Sequence, residues 1–95
     1  MSKSIYELSG FQRDLLFVIA GLERPSGREI GTAIENTQNR NVFHGRLYSN
    51  LDTLVRAEFV DKQQHDGRTN LYVLTSKGKC ELEALQQWQR RMVSD

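Results

Sequence analysis

Two groups of side chains in this sequence could do chemistry, and both suit hydrogen bonding rather than bond making. Gly45, Arg46, Ser49, Asp52, Thr53 and Arg56 share one arc if residues 42–59 form a helix, with Asn50 at its edge. Small and hydrogen-bonding groups with two arginines are the types that meet base edges and phosphate oxygens in a major groove. The second group is the run HDGRTN, His65 to Asn70, which carries Arg68 into a tight turn. Arg46 could pair bidentately with guanine, and Asn50 with adenine if it turns outward. Ser49 and Thr53 could meet a base or a phosphate, and Gly45 allows close backbone approach. His44, Tyr48 and Arg56 complete the candidate set on the helix. In the turn, Arg68 could enter a minor groove or clamp a phosphate. Lys62, Thr69 and Asn70 could add backbone contacts, with Gln64 and His65 as further polar groups. The plain alternatives are a solvated helix face for the first group, a pairing of Arg68 with Asp66 or Asp61, and an exposed turn position for His65.

The elements that must position these groups are legible from periodicity. In SGFQRDLLFVIAGLE, Ser9 and Gln12 make a capping box, and Phe11, Leu15, Val18, Ile19 and Leu22 recur on one helical face. Pro25 closes that segment. SGRE repeats the box with Ser26 and Glu29, opening a second helix with a narrow stripe of Ile30, Ala33 and Ile34. The polar run NTQNRN ends it. Leu47, Leu51, Leu54 and Val55 give the third helix its inner face. Strands follow at Phe59–Gln64 and Asn70–Leu74, joined by Asp-Gly, which predicts a type I′ turn. Their alternation is imperfect and leaves the register open. Thr75 caps a final helix carrying Leu82, Leu85, Trp88 and Met92. One side of that stripe could pack on the first helix, but it outruns a small core, so it is expected to form a dimer interface with a second copy, with an entirely intramolecular stripe as the alternative.

Three helices, a hairpin and a last helix, in the order α-α-α-β-β-α, describe a mainly α winged helix-turn-helix with the C-terminal helix used for dimerisation. The 95 residues fit one domain, with core and wing over 8–74 and the dimerisation helix over 75–93. An isolated hairpin is barely stable, so the wing must lean on the helices.

Composition narrows the function classes. Net charge is +1, so the chain is no polycation, although Lys62, Arg68, Lys77 and Lys79 outnumber Asp61 and Asp66 around the hairpin. No apolar run approaches a bilayer span, and no secretory signal is seen, so a cytoplasmic location is expected. Cys80 is alone, which excludes an internal disulfide, and with His44 and His65 it fits no metal spacing. It reads as a half-buried helix residue, with redox pairing between subunits as the alternative. No catalytic triad, phosphate loop or carboxylate pair on a cleft appears, so neither catalysis nor a cofactor is expected.

The chain resembles the PadR-like winged-helix transcriptional regulators, especially compact archaeal ones, from about Leu8 to Met92. The matching residues are Gly27, Ile30, Leu47, Tyr48, Leu51, Leu54, Arg68, Tyr72, Leu74, Thr75 and Gly78. Two positions depart: Ser49 stands where the family usually has proline after Leu-Tyr, and Glu58 where it usually has glycine. The extra helical domain of larger members is not expected here. The resemblance implies a homodimer that represses or activates transcription by binding a short inverted repeat. The competing expectation is a winged-helix protein-docking module without specific DNA binding. Operator, regulated genes and any small-molecule effector are not encoded in these patterns.

Overall fold

The computed structural model describes residues 3–94. Three helices lead, α1 (Gly10–Gly21), α2 (Gly27–Gln38) and α3 (His44–Arg56), followed by β1 (Val60–Gln64), β2 (Asn70–Leu74) and α4 (Ser76–Val93). Both serine capping boxes form. Ser9 and Ser26 hydroxyls accept from the amides of Gln12 and Glu29, whose side chains accept from the serine amides. Each box satisfies two amides that the helix cannot. Thr75 caps α4 by accepting from the Gly78 amide at 2.9 Å. The third helix begins at His44, two residues later than its apolar pattern starts, and Phe43 at its N-cap offers no side-chain cap. A single 3-10 turn at Ile5–Glu7, capped by Ser4, precedes α1 and was not foreseen. Arg13 donates to the Ile5 and Tyr6 carbonyls, and Glu81 accepts from the Ile5 amide at 2.8 Å. These bonds press Ile5 into the core.

The core is one cluster drawn from every element. Leu15, Leu16 and Ile19 of α1 meet Ile30 and Ile34 of α2, Leu47, Leu51 and Leu54 of α3, Phe59, Val60 and Tyr72 at the hairpin, and Leu82 and Leu85 of α4. Burying Leu82 and Leu85 within the subunit corrects part of the expected dimer stripe. At 6% and 1% exposure they have no surface left for a second copy. From Gln86 onward every described residue of α4 is exposed, with Trp88 at 45% and Met92 at 59%. The helix therefore overhangs the body, and only its outer part remains unpartnered.

The hairpin pairs Val60 with Leu74 through Gln64 with Asn70. It is not left on its own. The Tyr72 amide donates to the Pro25 carbonyl at 2.9 Å, and Ser26 bridges Leu71. The chain entering α2 thus adds a short third rung to the outer edge of β2, which supports a ribbon otherwise too small to persist.

The C-terminus of α3 shows why glycine would suit position 58, where this chain has glutamate. Glu58 adopts φ 68°. Its amide donates to the Val55 carbonyl and the Phe59 amide to that of Leu54, both at 3.0 Å, the paired bonds of a Schellman cap. A left-handed residue with a Cβ costs about 1–2 kcal/mol.

Candidate nucleic-acid interface

The two groups of side chains singled out in the sequence lie on adjoining elements. Lys62 of β1 reaches Asp52 of α3 at 3.8 Å, so the hairpin runs alongside the third helix. On α3, Gly45, Ser49, Asp52 and Arg56 are exposed along one arc. Nothing approaches within 4 Å of where a Gly45 Cβ would stand, leaving the backbone open. Thr53 is half-buried and its hydroxyl donates back to the Ser49 carbonyl at 3.2 Å. His44 is exposed and stacks on Tyr48 with ring centres 4.4 Å apart. Arg46 is exposed but not free-standing. Its guanidinium lies 3.9 Å over the Phe11 ring, a cation–π contact that fixes its direction toward the start of α1.

Asn50 does not turn outward. Its carbonyl oxygen accepts from Gln12 at 2.9 Å, and its amide donates to the Arg46 carbonyl at 2.8 Å. Both ends of the side chain are occupied inside the subunit, so the expected adenine contact is withdrawn. The helical wheel places Asn50 only at the edge of the polar arc. The crossing of α1 over α3 decides on which side of that edge it falls.

The hairpin tip differs from its prediction. No glycine has positive φ, and Asp66 is not among the residues that do, so the turn is not type I′. Residues 65–69 form a longer loop. The His65 amide donates to the Thr69 carbonyl at 2.8 Å, and Asp66 Oδ1 accepts from the Arg68 and Thr69 amides, each at 2.9 Å. The aspartate side chain closes the turn that left-handed backbone would have closed. It also occupies Asp66 with the Arg68 backbone rather than its guanidinium, which has no ion pair or hydrogen bond among the described residues. Arg68 and Asn70 are exposed and Thr69 is half-buried.

Those amide bonds, Arg68 first and Thr69 second, hold the Asp66 carboxyl below its ordinary 3.8. A depressed carboxyl supports the folded turn at pH above its unfolded value, and that support is lost as pH falls through the lower folded value. The Arg68 and Thr69 amide resonances should titrate together with a midpoint below 3.8; a midpoint at or above it would show the loop open in solution.

Part of the basic surplus counted around the hairpin lies elsewhere. Lys77 donates to the Ala57 carbonyl at 2.9 Å and sits 4.1 Å over Phe59, capping the end of α3. Lys79 lines a groove of about 510 Å³ between α1, β2 and α4, with Phe17, Leu22 and Leu82. Cys80 is exposed rather than half-buried. No metal-binding group of His, Cys, Asp or Glu occurs among the described residues.

Sequence reasoning missed two residues beside the wing. Arg28 and Tyr72 line one small cleft with Tyr48 and Arg68. Arg28 carried a signal, a cation in the first turn of a helix, where the macrodipole is already positive. Tyr72 carried none beyond its apolar role. Phe43, 82% exposed at the start of α3, was also passed over.

The model of the transcriptional regulator PadR-like family matches residues 15–84. The chain belongs to that family. Among solved structures, RosR of H. salinarum, in crystals grown from NaBr, is similar at 37% identity and a TM-score of 0.88, over 94% of this chain and 81% of that one. F93 from STIV, a winged-helix DNA-binding protein, shares the fold at 19% identity and a TM-score of 0.72, over 86% and 89% of the two chains. A C80S mutant of MarR from E. coli, complexed with operator DNA, shares it at 24% identity and a TM-score of 0.73, over 86% and 56%. No curated protein sequence matches significantly. The fold of this PadR-like protein is a winged helix, with α3 in the place of the recognition helix and β1–β2 as the wing.

Proposed function

We propose that this PadR-like protein binds double-stranded DNA as a homodimer and regulates transcription from a short inverted repeat. The observation that carries the reading is the adjacency of α3 and the wing, joined by the Lys62–Asp52 pair, in a chain of a transcriptional-regulator family. Helix α3 enters the major groove, presenting Gly45, Arg46, Ser49, Thr53 and Arg56, with His44 and Tyr48 toward one strand. Arg68 at the wing tip reaches the minor groove or the phosphates, with Lys62, Thr69 and Asn70 beside it. That MarR, which shares the fold, was solved with operator DNA supports the DNA-binding reading.

The dimer is formed by the overhang of α4, through Trp88 and Met92, and sets two recognition helices about one DNA turn, roughly 34 Å, apart. The protein acts in the cytoplasm, where DNA is accessible. No helix among the described residues is long and apolar enough to cross a membrane.

Anisotropy titration of labelled genomic fragments at about 50 and 200 mM salt tests the reading. Several phosphate contacts require affinity to fall at least about tenfold across that interval. Absent or salt-independent binding would overturn it and favour a protein-docking role for the same face.

A further inference from the structure

The cleft between the N-terminus of α2, the flank of α3 and the wing contains a polar group without a partner. Tyr72 is only 1% exposed, yet its hydroxyl has no hydrogen bond among the described residues. No fully buried side-chain nitrogen or oxygen among those residues lacks a partner. The sliver of Tyr72 that still meets solvent is therefore its hydroxyl. The solvent it meets is the cleft, of about 230 Å³, which it lines with Gly27, Arg28, Tyr48 and Arg68. Burial, and then the neighbouring Tyr48 and Asp52, raise its pKa above the ordinary 10.0, so the hydroxyl keeps its proton and acts as a donor.

Two cationic side chains and a helix N-terminus line the cleft. Helix α2 has 12 residues, and its N-terminus lines the cleft through Ser26, Gly27 and Arg28. A Cβ at position 27 would run into the Tyr48 ring, so glycine lets that ring lie across the helix end and hold its hydroxyl at the cleft. Arg28 adds a cation where the dipole already disfavours one. Neither Arg28 nor Arg68 has a carboxylate within ion-pair distance among the described residues. The nearby Asp52 is engaged with Lys62, and Glu29 with the Ser26 amide. Two phenols, two guanidiniums and a helix N-terminus converge in a cleft that no carboxylate lines, although Asp52 is near enough to act on Tyr72 and Asp66 accepts from the Arg68 amide.

We propose that this cleft seats one backbone phosphate of the bound duplex, with Tyr72 as the buried donor at its floor, Tyr48 at its wall and Arg28 and Arg68 at its rim. The proposal rests on the DNA-binding reading above and extends it, giving Arg28 and Tyr72 a fixed phosphate that registers the wing on the duplex. Phosphate contacts of this kind position a protein without reading sequence, so the site is testable on DNA of arbitrary sequence.

The test uses a fluorescein-labelled duplex of mixed sequence, titrated at several salt concentrations, with parent, Tyr72→Phe and Arg28→Gln proteins. Tyr72→Phe removes an oxygen that bonds nothing in the free protein, so its thermal midpoint should match the parent. Its affinity should fall at least about tenfold, with an unchanged salt slope, because a neutral donor releases no counterion. Arg28→Gln should lower both the affinity and the slope, the latter by about one per subunit. Parent-like duplex binding by Tyr72→Phe overturns the proposal, as does a lowered midpoint, which would make the hydroxyl structural. Inorganic phosphate is the second arm. If it raises the parent's midpoint, Tyr72→Phe abolishes that rise, and duplex binding is untouched, the cleft holds a free anion and the proposal fails. A parent that binds no duplex fails the DNA-binding reading itself, a result distinct from a parent that binds and a variant that binds equally well.

Discussion

Gly78→Ala should cost the fold about 2 kcal/mol, lowering the thermal midpoint by roughly 8–16 °C for a domain of this size. Glycine to alanine in an exposed helix ordinarily stabilises by about 1 kcal/mol, so the sign of the change is diagnostic. Here a Cβ would collide with the Phe59 carbonyl oxygen. That oxygen cannot yield easily. It accepts the Thr75 amide at 3.0 Å, and the adjacent Glu58 carbonyl accepts the Thr75 hydroxyl at 2.6 Å. The first turn of α4 is thus packed directly on the backbone leaving α3, and only a residue without a side chain fits between them. Gly10→Ala is the control, because nothing lies within 4 Å of a Cβ there. Differential scanning calorimetry of both variants checks the expectation; a Gly78→Ala protein as stable as its parent would show that α4 can lift from the Phe59 backbone at little cost.

If α4 forms the proposed dimer, Trp88→Glu should leave a monomer and weaken binding to a two-half-site duplex by at least about 100-fold, the loss expected when two linked contacts become independent. Trp88 is 45% exposed and Met92 59% in the isolated subunit, beyond the last core residue of α4, Leu85. A charge at position 88 therefore leaves the subunit core alone while desolvating badly against a second copy. Sedimentation velocity gives the assembly state, and circular dichroism confirms that the helices persist. A variant that remains dimeric would move the interface elsewhere, with the groove beside Phe17 and Leu22 as the next surface to alter.

Local chemistry was readable in the sequence, and relative orientation was not. Ser9, Ser26 and Thr75 are caps because a cap is decided within four residues. The strand limits near Gln64 and Asn70 were set by turn residues next to them. Most of the failures needed a distant partner, and one, the hairpin turn, came from a competing local closure. Asn50 lies near the edge of a helical wheel, and Gln12, 38 residues away, draws it inward. Leu82 and Leu85 share a stripe with Trp88 and Met92, and only the packing of α4 on the body splits that stripe into core and overhang. The Asp-Gly signal pointed to left-handed backbone, but the Asp66 side chain offered a competing closure with two amides. Tyr72 looked like one more apolar strand residue because its pattern records the ring and not where the hydroxyl emerges. Of the candidate contacts, Arg68 and the exposed arc of α3 stand where the pattern placed them, and Arg28 was visible only as a helix-dipole violation.

The rung that joins Pro25 and Ser26 to β2 has a mechanical consequence. The root of the wing and the start of α2 share hydrogen bonds, so they must tilt together as one lever, while residues 65–69 beyond Gln64 flex alone. A load applied at Arg68 by a groove that is slightly too wide would be absorbed in the five-residue tip. A load at Tyr72 would be passed straight into α2, and through the Gly27–Tyr48 contact into the pitch of α3. On the proposed DNA-binding reading, the wing would therefore yield to groove width at its tip and pass displacement on at its root.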